Sequence, residues 1–287
     1  MSRSDAVALG PPRAARRVST RLVRSELALV FRRRRNQAML AVLACVPVLI
    51  GVAVWLSASD GGGGGPAFIG RITQNGLFLC FASLVVAIPL FLPLAVSVVA
   101  GESVAGEAST GTLRYLLVVP VSRARLLMVK YAGIVAYALA AALTVAVVGV
   151  IVGAALFPVG PVTLLSGTTL PFADALVRAF LVAMYVAAMM AGVGAVGLFI
   201  STLTEVPVGA MAATVILTIV SEILDSISQV AAIHPYLLTH WWLQFGDLLR
   251  SPMPIDGLAR GLLTAAAYIG VFLSAAWARF AARDVTG

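Results

Sequence analysis

Charge is what this sequence has least of. Charged residues make up 11% of the chain against 61% hydrophobic, and the mean hydropathy is +1.02. Water-soluble domains carry about 25% charged residues, so too few polar groups are available to coat a water-facing globule. Lysine occurs once, as Lys130. A Walker-type phosphate loop needs a lysine directly after its glycines, and Lys130 follows Val129. The chain is therefore read as having no nucleotide site of its own and as not being an enzyme. Cys45 and Cys80, the only cysteines, sit in apolar runs without metal-type spacing, which argues against a zinc knuckle or a disulfide framework. The two histidines, His234 and His240, share one stretch, whereas a haem bridged between helices needs ligands on separate spans. No metal and no cofactor bound by this chain is expected.

What is present is a series of long apolar runs. A run of about 20 apolar residues matches the hydrocarbon thickness of a bilayer, and lipid offers the backbone no hydrogen-bond partner, so such runs form helices or closed barrels. These runs are continuous rather than alternating, which excludes the barrel. The expected fold is an all-α integral membrane protein of six spans, at about 38–57, 77–99, 126–157, 176–200, 208–223 and 258–281. Pro89 and Pro93 fall inside the second span and predict a kink or an opened helix there. The run Gly61 to Gly65 reads as a flexible loop. Between the fifth and sixth spans, His234 to Arg250 forms a short amphipathic outer hairpin, its paired Trp241 and Trp242 suited to a membrane–water boundary.

Before the spans lie a basic tail, residues 1–17, and an amphipathic segment, residues 18–36; residues 37–287 form the six-span domain. At about 100° per residue, Val18, Leu22, Val23, Leu27, Leu29 and Val30 share one half of a helical wheel. Arg21, Arg24, Arg32 and Arg35 fall on the other half, and Glu26 is the one misplaced charge. This pattern suits an interfacial helix with its arginines on anionic lipid. Sixteen of the twenty basic residues lie before the first span, around the second loop or after the last span. By the positive-inside rule both termini are cytoplasmic. That bias accounts for most of the net charge of +8 without any nucleic-acid partner.

The connection from Gly101 to Lys130 reads GESVAGEASTGTLRYLLVVPVSRARLLMVK. Thr110 or Thr112 is a candidate helix N-cap, with Glu107 available to the N-terminal dipole. Leu113, Leu116 and Leu117 then line one face of a short helix that Pro120 ends. Such a face needs a partner, either the chain's own bundle or another subunit. The run Glu107, Gly111, Thr112, Leu113, Leu116, Leu117, Pro120, Ser122, Arg123 and Lys130 resembles the coupling segment of type 2 ATP-binding-cassette (ABC-2) permeases. The resemblance extends to the interfacial helix, the six spans and the outer hairpin. It implies a cytoplasmic coupling helix between spans two and three, within residues 101–125, that seats in a groove of a separate ATPase. Glu107 or Arg114 would make charged contacts at the groove's edge. It further implies two ATPase subunits that bind ATP and Mg2+, a second permease chain (a copy or a homologue), and outward transport.

Ionisable residues within spans are costly and are functional candidates by default. Here they are Arg178, Glu222 and Asp225; the two acids are i, i+3 on one face, with Arg178 as a possible counter-ion for a gate, or all three simply mark span ends at headgroup level. Phe78, Phe81, Phe91, Met184, Met189 and Met190 are apolar candidates for a pathway or for core packing. They suit a hydrophobic or amphipathic substrate such as a drug, antibiotic or lipid. The competing readings are an ATP-independent secondary transporter or channel, for which no internal repeat is visible, and a membrane anchor for a cytoplasmic enzyme. High Ala, Val, Gly and Arg with a single lysine is the usage of GC-rich bacterial coding, pointing to a bacterial plasma membrane.

Overall fold

A computed structural model of the chain describes residues 20–59, 67–109, 111, 122–164 and 166–281. Six helices in it are long and apolar enough to cross a membrane, and the all-α, six-span expectation holds. In chain order the helices are α1 (Thr20–Arg32), α2 (Arg34–Ser59), α3 (Ala67–Gln74), α4 (Phe78–Ala87), α5 (Phe91–Ser109) and α6 (Arg123–Leu156). They continue with α7 (Phe172–Leu203), α8 (Pro207–Ser226) and α9 (Asp256–Ala281). The first 17 residues of the basic tail, and residues 112–121 of the second loop, lie outside the described residues.

The second span is the one the prolines divide. The α-helix stops after Ala87 and restarts at Phe91, because Pro89 has no N–H to continue the ladder. The Ile88 amide still reaches the Leu84 carbonyl, and the ladder resumes from Leu94 to Leu90. Pro93 lies in the first turn of α5, where its missing donor costs little. The span is longer than its apolar run suggested: α5 continues past Val99 to Ser109, carrying Glu102 and Glu107 on the same rigid rod. Gly111, with φ 69°, turns the chain after it, its amide on the Ala108 carbonyl.

At the core, α7 packs against α5, α6, α8 and α9. Met189 and Met190 are fully buried there, so both are packing residues. Small residues bring the backbones together. A Cβ on Gly101 would lie 2.8 Å from the Met211 amide nitrogen of α8, and one on Gly149 of α6 would lie 2.7 Å from Cys80 Cα of α4. Ser201 locks a further crossing, that of α7 with α5. Its Oγ accepts from the Val104 and Ala105 amides and donates to the Gly101 carbonyl, a side chain of α7 inserted into the backbone of α5.

One end of the bundle is closed by structures with weak sequence signals. A two-stranded hairpin, β1 (Val162–Thr163) with β2 (Thr169–Leu170), follows α6. Buried Asn75 ties it down, Nδ2 donating to the Gly160 carbonyl at 3.0 Å while Oδ1 accepts the Leu77 amide. The outer hairpin is two 3-10 segments, Ser228–Tyr236 and Thr239–Leu249. Trp242 is only 1% exposed and Trp241 is also buried, so both are packed into the bundle instead of half-exposed at its surface. The exposed tryptophans are Trp55 and Trp277, near the far ends of α2 and α9.

The close α4–α6 crossing gives a direct stability test. Replacing Gly149 with leucine forces a side chain into the α4 backbone, and overpacking of this kind costs about 1–3 kcal/mol. Thermal unfolding of the detergent-solubilised protein should show a lower midpoint for Gly149→Leu and an unchanged one for Gly270→Ala, where a Cβ meets nothing within 4 Å.

Candidate functional site

The single lysine is the centre of the polar structure at the arginine-rich end. Lys130 lies about two turns into α6 and its side chain is 2% exposed. An ammonium removed from water is tolerated only where carboxylates replace its hydration. Glu107 of α5 supplies the first, Oε1 lying 2.5 Å from Nζ, and Glu26 of α1 the second at 3.6 Å. Glu26 was the charge that did not fit the apolar half of the wheel. Its face of α1 packs on α6, where Val30 and Glu26 both approach Gly133, so the misfit is a deliberate pairing.

A second carboxylate one turn earlier on α5 does the same for the chain entering α2. Glu102 Oε2 lies 2.5 Å from both the Arg33 and Arg35 guanidinium groups. Between the two clusters sits buried Asn36, whose Nδ2 donates to the Val30 carbonyl and whose own carbonyl accepts from the Tyr137 hydroxyl. The α1–α2 corner is thereby fixed to both α5 and α6. Across the bundle, Arg123 at the start of α6 donates to the Phe280 and Ala281 carbonyls, capping the C-terminus of α9 with positive charge. The end of α5 and the start of α6 are thus both anchored to other helices.

Glu107 belongs to the last turns of α5 and pairs with Lys130. Gly111 is exposed just beyond α5, and Arg123 bonds to the end of α9. Thr112, Leu113, Arg114, Leu116, Leu117 and Pro120 fall outside the described residues. Sequence spacing did not reveal the Glu26–Lys130–Glu107 triad, although a sole lysine and a sole misfit glutamate were its two visible traces.

At the opposite end the three intramembrane candidates separate. Arg178 is not a counter-ion for Glu222 and Asp225. Its guanidinium donates to the Leu248 and Arg250 carbonyls, both at 2.7 Å, and pins the end of the second 3-10 segment onto α7. Those two carbonyls lie at the segment's C-terminal end, where helical carbonyls lack partners and need a donor, which explains the choice. Asp225 instead faces His240, with Oδ1 2.6 Å from Nδ1. Glu222 lies one turn earlier on α8, partly exposed. Beside it, a cavity of about 230 Å3 opens between α7, α8 and α9, lined by apolar groups such as Val193, Leu217 and Phe272 with Thr218 and Ser221 as its polar edge.

Breaking a buried ion pair by removing one member costs about 3–5 kcal/mol, because the remaining charge is left uncompensated. Lys130→Met should accordingly lower the unfolding midpoint strongly, and adding Glu107→Gln to it should restore most of the loss. Equal stability of Lys130→Met and the native protein would remove the triad from this account.

A family model described as ABC-2 family transporter protein matches residues 30–221, about two thirds of the chain. No curated protein matches it. The matched region begins at the α1–α2 corner and includes both carboxylate clusters on α5, Lys130 and most of α8. The chain belongs to the ABC-2 transporter family, as the membrane-spanning permease component of an ABC transporter.

Proposed function

We propose that this permease is the moving half of an ATP-driven exporter in a bacterial plasma membrane, coupled to its ATPase through residues 112–121. Two permease chains and two ATPase subunits make up the working unit, with ATP and Mg2+ held by the ATPases. The arginine-rich end faces the cytoplasm, as the charge bias requires, and α1 rests at that interface.

The observation that carries this reading is mechanical. Residues 112–121, which include Leu113, Leu116 and Leu117, follow α5 and precede α6 in the sequence. Glu107 binds α5 to Lys130 of α6, Lys130 in turn pairs with Glu26 of α1, Glu102 binds α5 to the start of α2, and Arg123 binds α6 to α9. A push on residues 112–121 therefore reaches five helices through ion pairs and capping bonds instead of bending one loop. Nucleotide-dependent closure of an ATPase is a two-state event, and a stiff connection of this kind converts it into helix displacement. The Ser201 insertion extends that connection from α5 to the central α7.

The cavity between α7, α8 and α9, apolar with a hydroxyl edge, suits an amphipathic substrate: a drug, an antibiotic or a lipid. Its position beside α8 fits outward release at the end opposite the ATPases.

Leu116→Asp places a charge on the apolar coupling face. In membranes containing permease and ATPase together, this substitution should reduce co-purified ATPase at least tenfold and abolish vanadate-sensitive, ATP-dependent efflux, while the amount of folded permease stays the same. Full ATPase retention with full efflux would contradict the coupling role, and ionophore-sensitive flux without ATP would contradict the ATP-driven reading.

A further inference from the structure

At the end of the bundle opposite the arginines, three side chains from three successive elements meet. Asp225 closes α8, His234 belongs to the first 3-10 segment and His240 to the second. One ligand-type atom from each lies within 4.8 Å of the other two. The two Nδ1 atoms face the same oxygen: Asp225 Oδ1 is 2.6 Å from His240 and 3.8 Å from His234. All three side chains are partly exposed, so a dissolved ion can reach them.

The orientation of His234 is the decisive detail. Its Nε2 lies 3.1 Å from both the Leu224 and the Ile227 carbonyls. A carbonyl only accepts, so Nε2 carries the ring proton. Nδ1 of the neutral ring then bears the lone pair, and it is the atom aimed at the carboxylate. Two electron-pair donors facing one another call for positive charge between them, which a proton on Nδ1 or a bound cation supplies. A backbone carbonyl on the far nitrogen is also the support that metal-binding histidines use to hold tautomer and ring direction. Glu222, one turn before Asp225 on α8, adds negative charge nearby.

We propose that Asp225, His234 and His240 bind one divalent ion of the Zn2+ class. Two imidazoles and one carboxylate favour such an ion over Mg2+ or Ca2+, which take oxygen ligands. The ligands are Nδ1 of each histidine and Oδ1 of Asp225, with water in the fourth position. Bonds of about 2.0–2.1 Å put tetrahedral ligand atoms about 3.3 Å apart. His240 retreats from Asp225 by about 0.7 Å and His234 approaches by about 0.5 Å to reach that spacing. The His240 ring proton moves from Nδ1 to Nε2, so the neutral ring binds without net proton change. The bound ion ties the end of α8 to both 3-10 segments and so fixes the hairpin over the bundle. The site stands on these three side chains alone and does not depend on the transport reading.

The test uses the full chain without an affinity tag, reconstituted in nanodiscs, stripped with chelator and titrated with Zn2+ alone. Bound metal counted by mass spectrometry should reach one equivalent per chain, and Zn2+ should raise the thermal unfolding midpoint. Co2+ in its place should give the visible absorption of a tetrahedral nitrogen–oxygen site. Asp225→Asn, His234→Ala and His240→Ala should each weaken Zn2+ binding at least tenfold. Absence of stoichiometric uptake by the native chain would overturn the proposal, as would uptake unchanged in all three variants. Because the native chain alone can give the first of these results, the test does not depend on the variants folding.

Discussion

A single ammonium group, withdrawn from water at the edge of a hydrocarbon-spanning bundle, constrains how this protein is assembled. Lys130 demands carboxylates, and the two that reach it come from different helices, Glu107 from α5 and Glu26 from α1. Satisfying it fixes the height at which α5 meets α6 and the face that α1 turns inward. The corner between α1 and α2 follows, because Glu102 on the same rod gathers Arg33 and Arg35. Lipid provides no driving force for helices to associate, so bonds and close contacts of this kind must specify the packing. The crossings at Gly101 and Gly149 and the Ser201 insertion continue the pattern deeper into the bundle.

This arrangement makes the arginine-rich end of the bundle a rigid collar instead of a ring of loops. The permease has no nucleotide-hydrolysing motif in its own sequence, and membership of the ABC-2 family implies an ABC ATPase partner. A collar that links α1, α2, α5, α6 and α9 is a physical means of receiving work from such a partner. The opposite end is built differently. There a guanidinium, an asparagine and two tyrosine hydroxyls bind backbone carbonyls and hold short irregular segments over the bundle.

Much of the membrane architecture was legible because it rests on length and hydropathy, which are local. The six spans follow from uninterrupted apolar runs, and the break at Pro89 follows from a missing donor. The polar collar was not legible, because an ion pair between residues 23 or 104 positions apart leaves no periodic trace. Glu26 disturbed the helical wheel and Lys130 stood alone in composition, yet neither fact names its partner. The length of α5 was hidden for a related reason: beyond Val99 its apolar residues are few and interspersed with Glu102 and Glu107, so the span seemed to stop there. Arg178 looked like a counter-ion on sequence proximity to the membrane, whereas its partners are carbonyls 70 and 72 positions away. The histidine pair was read as unremarkable because both residues share one stretch; what sets it apart is the carboxylate at the end of α8.

The central claim is that the collar moves as one body when ATP is used. It is tested most directly by measuring spin-label distances in the assembled transporter between exposed positions 25 on α1 and 109 on α5, in an otherwise cysteine-free chain. With and without ATP and vanadate, the account predicts an unchanged 25–109 distance within one permease, together with a changed 109–109 distance between the two permeases of the proposed assembly. A 25–109 distance that shifts with nucleotide, while the 109–109 distance stays constant, would contradict it.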